Sequence, residues 1–142
     1  MIVSYSLTDS SVLSIPNPHD CTIEKIYLEC DWLCFVFDSD LSYHDSIKAQ
    51  CPNAKSLIIR YHLLDQDICL YRYRRLKSKN SREGYILEKP GKLMRLTEKK
   101  WKPDYISHYL GASSMIIELS SDKSYRLELD VDTVEYEWIE SK

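Results

Sequence analysis

Two stretches of this sequence carry side chains whose types and spacing suit chemistry at a surface. The first follows Cys69. In extended form it places Tyr71, Tyr73 and Arg75 on one face and Arg72 and Arg74 on the other, with Lys77, Lys79 and Arg82 in a loop beyond. Arginines interleaved with tyrosines hold phosphates and stack bases. The second is C-terminal. Glu128, Asp130, Asp132, Glu135, Glu137 and Glu140 put six acids into thirteen residues, with Tyr136 and Trp138 as the large aromatics beside them. An acidic, aromatic-edged surface of this kind complements a basic protein partner, and such complementarity speeds association and selects partners. The two stretches also complement each other. Arg72 and Arg74 across strands from Glu128, Asp130, Glu135 and Glu137 would stabilise the fold modestly. The net charge of −3 and pI near 5.8 favour this structural use of the arginines, since nucleic-acid domains are usually basic.

Other chemistries find less to work with. Structural zinc sites use two short-spaced pairs of Cys or His, commonly C-x-x-C. Here Cys30 and Cys34 are four apart and His19 and Cys21 two apart. On a strand, Cys30 and Cys34 stand about 13 Å apart, too far to share an ion. A cysteine nucleophile needs a nearby histidine and an anion-stabilising site. His19, His44, His62 and His108 form no local signature of that kind. A phosphate-cradling loop needs several glycines at fixed spacing, and only Gly84, Gly91 and Gly111 occur. No catalytic residue, metal or cofactor is therefore expected.

The elements that must position these residues are mostly strands. The chain of 142 residues suits one domain spanning residues 1–142. A 44% hydrophobic composition with 11 Tyr, 3 Trp and 2 Phe supports a packed core rather than disorder. Period-two alternation and β-favouring residues mark Ile23 to Leu28 and the nearly all-apolar, central Trp32 to Phe37, joined by Glu29, Cys30 and Asp31. They mark a second hairpin in Leu57 to Leu64 and Ile68 to Leu76, joined by Asp65, Gln66 and Asp67. Met115 to Leu119 turns at Ser120 to Ser124 into Tyr125, Leu127 and Leu129. Asp130, Val131 and Asp132 turn the chain again into Val134, Tyr136 and Trp138. Shorter strands are expected at Tyr85 to Leu87 and Leu93 to Leu96. Short helices are expected at Leu41 to Gln50 and at Pro103 to Leu110, where Pro opens and Gly111 closes the segment. The expected fold is mainly β: an antiparallel sandwich or strongly curved sheet built from hairpins, with one or two short helices.

No run approaches the roughly 20 apolar residues of a membrane span. The opening MIVSYSLTDSSVLSIPNP lacks a basic region and an unbroken apolar core. A cytoplasmic location without membrane association is the expectation, with five reduced and mostly buried cysteines.

Charge is segregated along the chain. Residues 1–70 carry net −6, residues 71–104 net +8 and residues 105–142 net −5. A basic centre thus lies between acidic ends.

Ile15-Pro16-Asn17-Pro18 leads into His19-Asp20 and then CTIEKIYLECDWLCFVF. A proline-led His-Asp, a small residue, spaced isoleucines and a hairpin into an apolar strand resemble the opening of small β domains among immunity proteins of bacterial polymorphic toxin systems. The resemblance covers residues 16–38. It implies a protein that binds and blocks a cognate toxin, and it carries over no functional residues. The expected function is a non-enzymatic protein-binding module, an immunity-type inhibitor whose partner is another protein such as a basic toxin domain. The interface expected is Glu128, Asp130, Asp132, Glu135, Glu137 and Trp138. The alternatives are a nucleic-acid- or phosphate-binding β domain using residues 71–104, with Arg72, Arg74, Arg75, Lys77, Lys79 and Arg82, and a small-molecule-binding β domain.

Overall fold

A computed structural model describes residues 1–38, 41, 45–65, 68–75 and 83–140. Nine strands, all paired antiparallel, make up most of it: β1 Ile2–Ser6, β2 Cys21–Glu29, β3 Trp32–Phe37, β4 Ala54–Leu63, β5 Cys69–Arg75, β6 Glu83–Leu87, β7 Asp104–Gly111, β8 Ser114–Ser120 and β9 Ser124–Glu140. A 3-10 turn spans Ser10–Ser14, and two short helices are α1, Asp45–Gln50, and α2, Lys92–Glu98. No helix among the described residues is long and apolar enough to cross a membrane. The ladders close into a ring, because β4–β3–β2–β7–β8–β9 returns to β4 through the β4–β9 pairing. One sheet holds β1, the second half of β9, β4, β3 and β2. The other holds β7, β8, the first half of β9, β5 and β6.

Strand β9 joins the two sheets, and it replaces the turn expected at Asp130 to Asp132. Tyr125, Leu127, Leu129 and Val131 are buried at odd positions, whereas Val134, Tyr136 and Trp138 are buried at even ones. The parity changes because the chain carries one extra residue there. Thr133 pairs with His62 and Val131 with Leu63, leaving Asp132 unopposed. This is a β-bulge, which bends a strand and increases its twist without ending it.

The expected hairpin of Leu57 to Leu64 with Ile68 to Leu76 does not form. Strand β4 pairs on both edges, with β3 and β9, while β5 pairs with β9 and β6. A strand as long as β9 offers each of them a ladder, in different halves. Pro103 to Leu110 is not a helix: Pro103 leads directly into β7, which takes up Asp104 to Leu110. Proline is tolerated at the entry of a strand, and Tyr105 to Gly111 gains a full ladder with β8. Leu93 to Leu96 is not a strand but lies within α2. Its Leu-Met-Arg-Leu run consists of straight-chain helix formers, and Leu93 is its buried anchor. The first hairpin turns through two residues rather than three, since Glu29 pairs with Trp32 and Cys30 takes φ 54°.

The core is aromatic. Tyr61, Tyr105, Tyr136, Phe35 and Phe37 are fully buried, and Tyr105 meets Phe35 and Phe37 with ring centroids 6.5 and 6.0 Å away. Burial raises the pKa of all three tyrosines, so their hydroxyls stay protonated. His108 points into this core, and its Nδ1 shares a hydrogen bond with the Tyr105 hydroxyl. Burial lowers its pKa to about 4. The unfolded chain therefore takes up a proton between about pH 6.5 and 4 that the folded protein refuses, so stability is full above pH 6.5 and falls toward pH 4. The shift corresponds to roughly 3 kcal/mol. Urea unfolding at pH 7.5 and 4.5 should show a loss of that order, and His108→Gln should remove most of the difference. An unchanged pH dependence in His108→Gln would assign it elsewhere.

Candidate functional site

Residues directly opposed across an antiparallel ladder share a face of the sheet. In the second sheet, Leu70, Tyr125, Leu127, Ile117 and Leu119 face the core. Their sequence neighbours must then face outward. Tyr71 stands opposite Arg126, Arg126 opposite Glu118, Tyr73 opposite Tyr85, and Ile116 between Tyr109 and Glu128. Four tyrosines on three strands thus meet one arginine on a fourth. Tyr73, Tyr85 and Tyr109 are 37%, 36% and 54% exposed.

The face is held in place by its own contacts. Tyr73 and Tyr85 pack edge to face, 5.6 Å between centroids. The Arg126 guanidinium lies 4.2 Å from the Tyr85 ring centroid and its Nη2 donates to Glu118 Oε1 at 2.9 Å. That bond to Glu118 raises the arginine's pKa. The Glu128 carboxylate beside Tyr71 raises the pKa of the tyrosine hydroxyl. Among the described side chains two carboxylates therefore share this face with one guanidinium, an arrangement that disfavours phosphate and suits a protein surface. Tyrosine and arginine bring large contact areas at low entropic cost and dominate binding hot spots.

The acidic C-terminal residues do not form the single aromatic-edged surface expected of them. The bulge divides them, with Glu128 on the outer face of one sheet and Glu135 and Glu137 on the outer face of the other. Glu137 accepts from Arg60 Nη2 at 2.8 Å, and Asp132 meets His62 Nδ1 at 2.7 Å, which lowers the carboxyl's pKa. Glu140 accepts from the Cys51 thiol at 3.4 Å. Asp130 is exposed and Glu135 half-buried. Trp138 is 4% exposed and Tyr136 fully buried, so neither can edge a partner surface. The parity change that puts them inside is visible only once both halves of β9 have found their ladders.

The basic stretch is also divided. Arg72 turns to the inner side, opposite Tyr125, and its Nε donates to Glu88 at 2.9 Å. Arg74 is exposed, opposite Gly84. The Arg75 side chain and Lys77, Lys79 and Arg82 lie outside the described residues. The expected pairing of Arg72 and Arg74 with the C-terminal acids is replaced, among the described residues, by Arg72–Glu88, Arg126–Glu118 and Arg60–Glu137. Sequence reasoning missed Tyr85, Tyr109, Glu118 and Arg126 as members of one face. Tyr109 was hidden by the helix expected around it.

The cysteines are all free. Cys21, Cys34 and Cys51 are buried, Cys69 is half-buried, and Cys30 stands exposed at the tip of the β2–β3 hairpin. Burial pushes the Cys21 thiol up to about 12, helped by Asp20 and Asp104, and raises Cys34 and Cys51 as well. These three are held as thiols, not as nucleophilic thiolates. Among the described residues no three His, Cys, Asp or Glu side chains converge as metal ligands. His19 and Asp20 instead secure the entry to β2. His19 Nδ1 is hydrogen-bonded with the Ile106 carbonyl, and the Asp20 amide, at φ 64°, donates to the Tyr105 carbonyl at 2.7 Å. Comparison of the chain with protein-family models, with curated proteins and with solved structures finds no match.

Proposed function

We propose that this chain is a non-enzymatic protein-binding module, an immunity-type inhibitor that binds and blocks a cognate toxin. The observation that carries the binding role is the outward face of Tyr71, Tyr73, Tyr85 and Tyr109 around Arg126. Aromatic residues and arginine are enriched where proteins bind one another. The inhibitory role rests on the resemblance of residues 16–38 to immunity-protein openings. The test is co-expression with a toxin-domain protein encoded by the adjacent gene. Relief of growth arrest and a stable complex are expected. Tyr85→Ala should weaken that complex by about 2 kcal/mol, or about 30-fold in Kd, with unfolding unchanged. Failure of both rescue and complex formation would remove the inhibitory reading. An intact complex in a Tyr73→Ala, Tyr85→Ala double variant would move the interface to another face.

A second reading, binding of single-stranded nucleic acid, draws on the exposed Lys89, Arg95, Lys99, Lys100 and Lys102 around α2. Phosphate contacts release counterions, so this reading requires affinity that falls steeply with salt. Binding of a labelled oligonucleotide that is flat from 50 to 200 mM salt, on the order of physiological ionic strength, would dismiss it.

A further inference from the structure

A cleft of about 330 Å³ opens beneath α2, where the helix spans between the end of β2 and the β5–β6 pair. Its walls are apolar: Leu28, Ile68, Leu70, Leu87, Leu93 and Met94. Leu93 and Leu70 are buried, but Leu87 is 58% exposed, so part of the wall is open. The size lies at the lower end of ordinary ligand pockets, about 300–1,000 Å³. Three charged side chains line it, namely Glu88, Lys89 and Lys92. The Glu88 carboxylate is already met by Arg72 at 2.9 Å. Lys89 and Lys92 have no ion-pair partner among the described residues. The cleft thus combines an aliphatic interior with uncompensated positive charge.

We propose that this cleft binds a small aliphatic carboxylate, its chain against the leucines and Met94 and its head group toward Lys89 and Lys92. Among the described residues, the lining supplies no aromatic ring to stack a base and no hydroxyl or amide side chain to read a sugar. An unbranched chain needs neither, and gains from apolar burial roughly in proportion to its buried length. Met94 is flexible enough to shape itself to such a chain. Lysine serves as a point charge that requires no fixed approach angle from the carboxylate. This site uses none of the tyrosine face, so its failure leaves the protein-binding role untouched.

The probe is decanoate, kept below its micelle-forming concentration and titrated calorimetrically into the full chain. One saturable site is expected, with a ligand-dependent rise in the unfolding midpoint. Acetate should not bind. Decyltrimethylammonium, with the same chain and the opposite charge, should bind at least tenfold more weakly. Lys89→Glu with Lys92→Glu should weaken decanoate at least tenfold, and the double arginine variant should retain it. The unliganded unfolding midpoint of each variant checks that the fold is kept. Met94→Trp, which fills the cleft, should abolish binding. Absence of saturable binding, equal binding of the cationic analogue, or unchanged affinity in the double glutamate variant would each overturn the proposal.

Discussion

Deleting Asp132 should destabilise the protein, whereas Asp132→Ala should cost little. The substitution removes the partly exposed side-chain contact with His62, and exposed pairs of this kind contribute about 0–1 kcal/mol. The deletion removes the extra residue of the bulge. Val134, Tyr136 and Trp138 then continue the alternation of Tyr125 to Val131 and keep their inward phase. What is lost is the bend that carries β9 from one sheet to the other, together with the Asp132 carbonyl that accepts from the Leu7 amide at 2.9 Å. An amide left without its acceptor costs about 1–3 kcal/mol. Domains of this size hold only about 5–15 kcal/mol in total. Urea unfolding should therefore show a clearly lower midpoint for the deletion and a nearly unchanged one for the substitution. A deletion variant that unfolds at the wild-type midpoint would show that β9 joins the two sheets without its bulge.

Tyr136→Ala should cost about 3–5 kcal/mol, the range for truncating a large buried aromatic. The ring is fully buried, with Tyr5 5.5 Å and Trp138 5.9 Å from its centroid. Its hydroxyl also donates to the Pro16 carbonyl, fixing the segment that leads into β2. Tyr136→Phe isolates that second role. It keeps the ring and leaves a buried carbonyl without its donor, at a cost of about 1–3 kcal/mol. Chemical denaturation separates the two effects. Tyr136→Phe with wild-type stability would mean that the Pro16 carbonyl finds another donor.

Short runs of alternating or β-favouring residues carried most of the strands. Ile23 to Leu28, Trp32 to Phe37 and Met115 to Leu119 lie within β2, β3 and β8, because each is a short run rich in β-branched, aromatic and other apolar residues that no other local signal interrupts. Pairing was less legible. The short link after β4 pointed to a hairpin, but a two-sided central strand like β4 finds both neighbours far away in sequence. Gly111 after a Pro-led segment suggested a helix stop, and the same residues serve as the end of β7 in its ladder with β8. Local capping signals are worth about 1 kcal/mol, too little to outweigh a full ladder and a buried tyrosine.

Composition and the strand pattern, by themselves, determined that this chain makes an antiparallel β fold with short helices. They also determined that Tyr71 and Tyr73 share a face of one strand. Only the tertiary structure decided which tyrosines join them, because Tyr85, Tyr109 and Arg126 arrive from three other strands through cross-strand register. It also decided that Trp138 is core rather than surface. Side-chain direction in a strand depends on the parity of every residue before it. One unopposed residue, Asp132, resets that parity through a pairing with β4 that no local pattern encodes.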